Sequence, residues 1–342
     1  MNNHEVISQF LCCPKCHSDI HLKNDFYICN SCNAQYPLIF NIPDFRIDLD
    51  TEDKLKEYAE ANELIELYNQ LSYKELLLHH IKQTTADDLI DVEIDYELGW
   101  RERGKKELYK INQLAEKMKA PKDLTANIDG LYIDIGCGKG AMISTMSDYC
   151  KYSIGLDYSL IYVVLALKLI EESGFNNVFL MVASNHNLPL RENVAEFVTA
   201  IDVIEHVPDQ IKGYDENIRV LKDNHFLFLN SPNRYSLFGV EDHVRLWGVG
   251  FMPRKFMKTY VKLLSGHPYD DVWLMSYWQL LALAKRHSSE YKIGGIMFDK
   301  SKHNLSKKEK FLSDFPFLLF IFNKVFKYFI PSFQMLVKKI PG

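Results

Sequence analysis

The sequence predicts an α/β fold, a largely parallel sheet wrapped by helices, with a small metal-bound unit ahead of it. Three observations predict this. Between residues 130 and 232, short β-branched runs alternate with helix-period stretches, the pattern of a parallel sheet. One such run, Leu131 to Ile135, gives way to glycines at every second position, Gly136, Gly138 and Gly140. Near the N-terminus stand two C-x-x-C pairs, Cys13/Cys16 and Cys29/Cys32, separated by twelve residues.

The N-terminal unit, residues 1–48, is too short to hold a core unaided. Two thiolates from each knuckle complete a tetrahedral zinc site, and binding folds the unit outright. Cys12 lies beside the first knuckle and is an alternative ligand, but C-P-x-C favours Cys13. A closed four-sulfur site has no open position, so the metal is structural. The seven cysteines, four of them paired this way, point to a reducing compartment rather than to disulfides.

Residues 49–120 read as a charged helical linker or cap. Leu64, Leu67, Tyr68, Leu71, Leu76 and Leu77 recur at helical spacing. Gly99 and Gly104 flank Trp100 to Arg103, which reads as a turn. Lys105 to Lys119 is amphipathic, a helix that packs before the sheet and closes over the ligand.

The elements expected next are strand 131–135, helix 140–150, strand 153–157, helix 159–173, strand 177–182, strand 196–201, helix 210–222 and strand 225–230. The glycines permit positive φ and let a ligand approach the backbone, and the helix start beyond them offers free N–H groups. Asp157 closes the second strand, where an acid can accept both hydroxyls of a ribose.

In combination these residues resemble the class I S-adenosylmethionine-dependent methyltransferases. The matching motifs are Asp134-Ile-Gly136-Cys137-Gly138-Lys139-Gly140, Gly155-Leu-Asp157-Tyr-Ser159 and Asp202-Val203-Ile204-Glu205-His206-Val207, within Gly130 to Pro232. The Asp134-x-Gly opening and the Glu205-His206-Val207 run set the chain apart from nicotinamide-binding Rossmann proteins. The resemblance implies a Rossmann-like sheet whose last strand, Phe333 to Lys338, runs antiparallel. It implies S-adenosyl-L-methionine as cofactor, its methionine portion at Asp134, Gly136, Gly138 and Gly140 and its ribose at Asp157. Ser184, Asn185 and Leu188 fall in the adenine segment, with Ser184 where the family often has an aspartate, and Asp202 joins the cofactor set. Tyr36 to Phe45 looks like the end of a zinc ribbon found before some bacterial methyltransferase domains.

The core is expected over 121–298, with a substrate lid at 232–275. Glu241 to Gly248 gathers ionisable groups beside aromatics. Two readings stand: a pocket for a hydroxylated or sugar-like substrate, and a polar loop packed by Trp247. A hydroxyl acceptor needs a base near its proton. His206 and His243 are the candidates, with Glu205 or Asp242 as orienter, and His243 is preferred. The helix from Ser276 to His287, capped by Ser276, and a strand from Tyr291 to Phe298 follow.

The segment 299–342 carries nine lysines against three acids, a surplus of six positive charges that leaves −11 on the rest of a chain of net charge −5. It reads as a basic amphipathic insertion and the final strand. Phe317 to Ile330 presents a wide apolar face, too short to span a bilayer, suited to lying in a membrane interface behind the basic run Lys300 to Lys310 or to packing on the body. Met1 to Phe10 is polar and no apolar run reaches ~18 residues, so neither a secretory leader nor a membrane-spanning helix is expected. The expectation is a cytoplasmic protein with peripheral contact through 300–330 at the inner face of the membrane.

The leading reading is methyl transfer to a small-molecule or lipid-linked glycan-type hydroxyl. The alternatives are an rRNA or tRNA base methyltransferase, which the acidic body opposes, and a non-catalytic cofactor-binding scaffold, which the intact Asp134, Gly136, Gly138 and Asp157 oppose.

Overall fold

The computed structural model describes residues 3–341 apart from 86, 122–123, 238, 242, 267–268, 271, 288–289 and 296–313. The chain opens with a short helix α1 (Asn3–Ser8) and a four-stranded antiparallel sheet, β1 (Ile20–Lys23), β2 (Phe26–Cys29), β3 (Gln35–Ile39) and β4 (Ile42–Pro43), in sequential order. Its two knuckles are built alike. His17 N–H bonds the Cys13 carbonyl at 2.8 Å and Asn33 N–H bonds the Cys29 carbonyl at 3.2 Å. His17 and Asn33, each following the second cysteine of its pair, both take positive φ.

Helices α2 (Thr51–Leu67), α3 (Tyr73–Thr84), α4 (Ile90–Leu98) and α5 (Trp100–Met118) form the next layer. Asp50 caps α2, and a reciprocal Ser72/Glu75 capping box starts α3, a device worth about 1 kcal/mol. The expected turn at Trp100–Arg103 is instead the first turn of α5. Gly99 caps that helix, and Gly104 lies inside it because a Cβ there would run into the Thr145 side chain. The glycine serves helix packing, not a turn.

The main sheet is built from β5 (Ile128–Ile135), β6 (Cys150–Asp157), β7 (Val178–Val182), β8 (Ala195–Ile201), β9 (Leu221–Pro232), β10 (Glu290–Ile293) and β11 (Ser332–Lys338), in the order β10-β11-β9-β8-β5-β6-β7. Strands β5 to β9 pair in parallel, and β11 runs antiparallel between β9 and β10. The expected sheet, with its antiparallel last strand, is therefore present. Strand β5 is flanked by both β6 and β8, so the winding reverses there and a crevice opens at the strand ends.

Helices α6 (Ala141–Met146), α7 (Leu160–Glu172) and α8 (Gln210–Val220) connect these strands. Seven of the thirteen residues of α7 are buried, as a helix must be that is covered by the sheet on one side and by α2 and α3 on the other. Helix α6 stops at Met146, shorter than expected, because residues 147–149 tighten into a 3-10 turn. Helix α8 ends at Val220, since Leu221 already pairs with Ala195.

Between β9 and β10 the chain leaves the sheet and closes on itself, where Asn233 bridges Met275. This excursion carries α9 (Arg254–Ser265) and a core of its own, Val249, Met257, Val261 and Tyr269. Trp247 is 58% exposed, and holds the loop by one ring face against Phe251 and by its indole N–H, which donates to the Leu237 carbonyl at 3.3 Å. Helix α10 (Tyr277–His287) follows, capped by Ser276 as expected. Strand β10 ends at Ile293; the rest of the expected strand, from residue 296, lies outside the described residues, as do Asp242 and the basic run 300–310. Helix α11 (Pro316–Val325) precedes β11. Among the described residues no helix is long and apolar enough to cross a membrane.

Candidate functional site

The four ribbon sulfurs converge. Cys13 and Cys32 Sγ are 3.7 Å apart, Cys16 and Cys29 Sγ 3.4 Å, and all four lie within 4.8 Å of one another. Four ligands at the Zn–S distance of a tetrahedral site are about 3.8 Å apart, so the set fits zinc. Cys12 stands outside it: its thiol is buried and pushed up to about 11, and its N–H bonds the Pro189 carbonyl. The Tyr36 hydroxyl lies 3.1 Å from Cys13 Sγ, an outer partner of the kind that orients metal ligands.

The ribbon docks on the free edge of the main sheet. Asp44 bridges Val182 of β7 in parallel, and Phe45 N–H bonds the Val182 carbonyl at 2.8 Å, which covers an exposed strand edge. Arg46, fully buried, pairs with Asp44 at 2.7 Å and with Glu57, and donates to the Tyr158 carbonyl at 2.8 Å. Glu57 also accepts from Leu160 N–H at 2.8 Å. The ribbon thus reaches the turn after β6, where Asp157 lies.

Around the glycine turn the backbone is unusual for a reason. Gly136, Gly138 and Gly140 have φ of 68°, 52° and 95°. Gly136 and Cys137 both donate to the Leu156 carbonyl, at 2.7 and 2.9 Å. A Cβ at Gly136 would strike the Val203 side chain, whereas one at Gly138 would meet nothing within 4 Å. The second glycine therefore faces open space, which is the room a ligand needs. Asp157 takes Gly138 N–H on one oxygen at 2.8 Å and Ser159 N–H on the other at 2.9 Å. A carboxylate oxygen has two acceptor positions, so both retain capacity for a ribose. Burial raises the Asp157 pKa.

Asp134 is buried at the end of β5. Thr199, its neighbour on β8, donates to Oδ1 at 2.6 Å, and the Tyr132 hydroxyl lies 2.6 Å from the same threonine oxygen. Asp134 Oδ2 has no hydrogen-bond partner. Burial pushes this carboxyl up to about 7. An orphaned carboxylate oxygen beside a glycine turn fits the ammonium of an amino-acid moiety, the group that S-adenosylmethionine carries. Thr199 and Tyr132 escaped the sequence reading because strand residues with hydroxyls look like ordinary core; only the β5–β8 register aims them at Asp134.

The other expected cofactor residues are placed differently from one another. Ser184 accepts from His186 N–H at 3.3 Å. Asn185 keeps both amide atoms buried and unpartnered, beside Gly213 and Val207. Leu188 is buried in the core, its N–H bonded to Glu216 at 2.8 Å. Asp202 sits at φ 54° and accepts from Asn230 at 3.0 Å. Helix α4 is tied to the glycine turn, where Lys139 pairs with Glu97 at 2.9 Å and Glu93 at 3.5 Å.

At the loop after β8 the two expected histidines meet. His206 Nε2 and His243 Nε2 are 3.0 Å apart. His243 Nδ1 pairs with Glu241, which is nearly buried and also accepts from Val244 N–H at 3.0 Å. Glu205 is wholly buried; the Ser231 hydroxyl donates to Oε2 at 3.2 Å, while Oε1 has no partner. The orienter of His243 is thus Glu241, with Asp242 outside the described residues. Sequence reasoning missed Glu241 because any of the adjacent acids could face the ring. Beside Glu241 lies a small depression of about 20 Å³, room for little more than a water, lined by Arg234, Ser236, Val249 and Leu274.

A family model described as a methyltransferase domain matches residues 133–229. The uncharacterized methyltransferase YcgJ of Bacillus subtilis is 30% identical over 176 residues, 50% of this chain and 67% of that protein. The solved YcgJ structure aligns with a TM-score of 0.41 and 18% identity over 67% of this chain and 98% of that one. A ubiquinone biosynthesis O-methyltransferase of Aliivibrio fischeri is 23% identical over 130 residues, 35% of this chain and 56% of that protein. An uncharacterized protein of Methanocaldococcus jannaschii is 29% identical over 131 residues, 38% of this chain and 51% of that protein. The chain thus spans about half to two thirds of the length of these relatives.

Proposed function

This chain belongs to the class I S-adenosylmethionine-dependent methyltransferases, and on that premise we propose that it methylates a hydroxyl of a small or lipid-linked, glycan-type acceptor. The observation that carries the acceptor reading is the cluster of Glu205, His206, His243 and Glu241 beside the cofactor crevice. Val203, whose side chain packs at Gly136, sits two positions before Glu205, so the loop that carries Glu205 and His206 lies against the glycine turn.

When bound, the cofactor supplies a methyl group on a positively charged sulfur, which needs alignment more than covalent help. In our reading Asp134 holds the ammonium, Asp157 the ribose, and Gly136, Gly138 and Gly140 the backbone surface beneath. Ser184, Asn185 and Asp202 complete the cofactor wall, with Leu188 packed in the core behind it. Zinc in the ribbon is structural and fixes the turn that carries Asp157. His243 and His206 handle the acceptor hydroxyl; Glu241 holds His243 by Nδ1 and so leaves Nε2, which faces His206, for the acceptor. Residues 49–120 act as the cap and 232–275 as the substrate lid.

A lipid-linked acceptor accounts for the apolar ground around the lid. Trp247, Phe251, Tyr235, Trp278 and Tyr328 form a continuous aromatic ridge, successive ring centroids lying 5.2 to 6.4 Å apart. Trp247, Phe251 and Trp278 are exposed, as are Phe256, Leu263 and Leu264 of α9 beside Lys255 and Lys262. Aromatics and lysines mixed in this way suit an anionic membrane interface. The test is incubation of the purified protein with labelled cofactor and a lipid extract, followed by mass spectrometry. A product heavier by one CH₂ on a hydroxyl supports the reading; label on RNA or none at all sinks it.

A further inference from the structure

We propose that Glu205, His206 and His243 hold a divalent first-row metal ion, a second metal centre distinct from the ribbon zinc. One carboxylate oxygen and the two imidazole nitrogens lie within 4.8 Å of one another. Three features make this more than a cluster of polar groups.

The first is the unpaired oxygen. Glu205 is wholly buried and its Oε1 has no hydrogen-bond partner. A buried carboxylate with an unsatisfied oxygen is expensive unless a cation or donor completes it. The second is spacing. Two nitrogen ligands about 2.1 Å from a metal and at right angles are about 3.0 Å apart, and the Nε2 atoms are separated by 3.0 Å. The third is the outer shell. Glu241 holds His243 by Nδ1, the carboxylate–histidine arrangement that fixes the tautomer and aims Nε2 at a metal. The loop beneath is pinned as well: Trp273 N–H bonds the Glu205 carbonyl at 2.6 Å, and Gln210 donates to the Ile204 carbonyl at 2.9 Å.

Two imidazoles and one carboxylate supply three ligands and leave an ion's other positions open. The ligands come from both sides of the substrate opening, since His206 follows β8 and His243 belongs to the lid. The ion therefore ties the lid to the sheet. Its role, though not its binding, rests on the methyl-transfer reading: with both Nε2 atoms on the ion, the histidines act on the acceptor hydroxyl through the metal rather than as bases. A coordinated acceptor hydroxyl becomes more acidic; its O–H bond breaks and the proton passes to solvent. The oxygen lone pair forms the bond to the methyl carbon while the carbon–sulfur bond breaks, its electrons remaining on a neutral thioether.

The experiment uses the full chain with its ribbon loaded with zinc. Mn²⁺ serves as the probe, because it ranks below zinc for any site and does not displace it from four thiolates. Free Mn²⁺ is followed by its paramagnetic resonance signal during titration, and cofactor affinity is measured by calorimetry on the same samples. The expected result is one Mn²⁺ retained per chain. Glu205→Gln and His243→Ala are expected to lose it, and Glu241→Gln to weaken it by roughly 10- to 100-fold. His243 lies on the lid, so its variant tests the site should Glu205→Gln fail to fold. The proposal is overturned if the wild type leaves all Mn²⁺ free, or if His243→Ala retains as much as the wild type. A wild type that binds the cofactor but no Mn²⁺ sinks the ion alone. One that binds Mn²⁺ but not the cofactor sinks the methyl-transfer reading and leaves the metal site standing.

Discussion

Arg46, carried just past the last strand of the ribbon, donates to the backbone carbonyl of Tyr158 at 2.8 Å, one residue from Asp157. A metal-dependent unit is thereby wired to the turn assigned to the cofactor's ribose. The guanidinium is wholly buried and balanced by Asp44 and Glu57. Asp44 stays ionised because Arg46 outweighs the burial that would otherwise raise its pKa.

Removing the metal is therefore expected to weaken cofactor binding without touching a cofactor contact. Chelation unfolds the ribbon and releases the Asp44–Val182 bridge along with Arg46. Titration calorimetry before and after chelation, with zinc added back, is the check; unchanged affinity in a zinc-free protein would refute the coupling. The substitution Arg46→Met, which strands Asp44 as an unpaired buried charge, is expected to destabilise the protein by about 3–5 kcal/mol in denaturant unfolding.

Asp134 gives a pH dependence of known sign. Its folded pKa of about 7 lies above the ordinary carboxylate value. The stability associated with its neutral form is fully present below about pH 4 and is lost as pH rises through about 7. Above that, burial of the ionised carboxyl costs the cofactor-free protein on the order of a few kcal/mol. An ammonium bound at Oδ2 favours the ionised form, so cofactor affinity is expected to rise with pH up to about 7 and then level off. Calorimetry from acid to neutral pH measures this. Asp134→Asn is expected to bind the cofactor weakly at every pH while melting at a higher temperature than the wild type at pH above about 7.

The glycines of the turn are not equivalent, although the sequence shows three alike. Gly136→Ala adds a methyl that meets Val203 at a φ of 68°, so it is expected to destabilise the fold and to disturb the Glu205–His206 loop through Val203. Gly138→Ala meets no neighbouring atom, though its φ of 52° still strains an alanine. It is expected to cost only about 1–2 kcal/mol of stability and to lose cofactor affinity by filling the open space. Thermal unfolding and calorimetry on the two variants separate these effects; equal losses of stability would contradict the distinction.

The parts legible in the sequence were those written in local spacing. The glycine turn, the Asp157 strand end and the paired cysteines each declare themselves within a few residues. What stayed hidden depends on contacts between distant segments. The pairing of Asp134 with Thr199 follows from strand register, and that of Glu241 with His243 from the path of the lid. Nothing in the sequence marks Arg46, since only docking on β7 buries it. Gly104 misled because a glycine that admits a helix neighbour and one that bends a chain look the same in sequence.

The exposed face of α9 offers the last prediction. Leu263 is 79% exposed and Leu264 58%, with Phe256 at 52%, on a helix that otherwise carries lysines. Each such side chain left in water forgoes about 1.5–3 kcal/mol of burial, a loss that insertion into acyl chains would recover. Lys255 and Lys262 would meet anionic headgroups at about 1 kcal/mol each. Co-sedimentation with vesicles containing anionic lipid is expected to retain the protein, and with neutral vesicles far less of it. Leu263→Asp with Leu264→Asp should release it while leaving cofactor affinity intact, because neither residue is among those assigned to the cofactor. Retention by neutral and anionic vesicles alike, or by the double variant as well as the wild type, would place the contact elsewhere and remove the reason for favouring a lipid-linked acceptor.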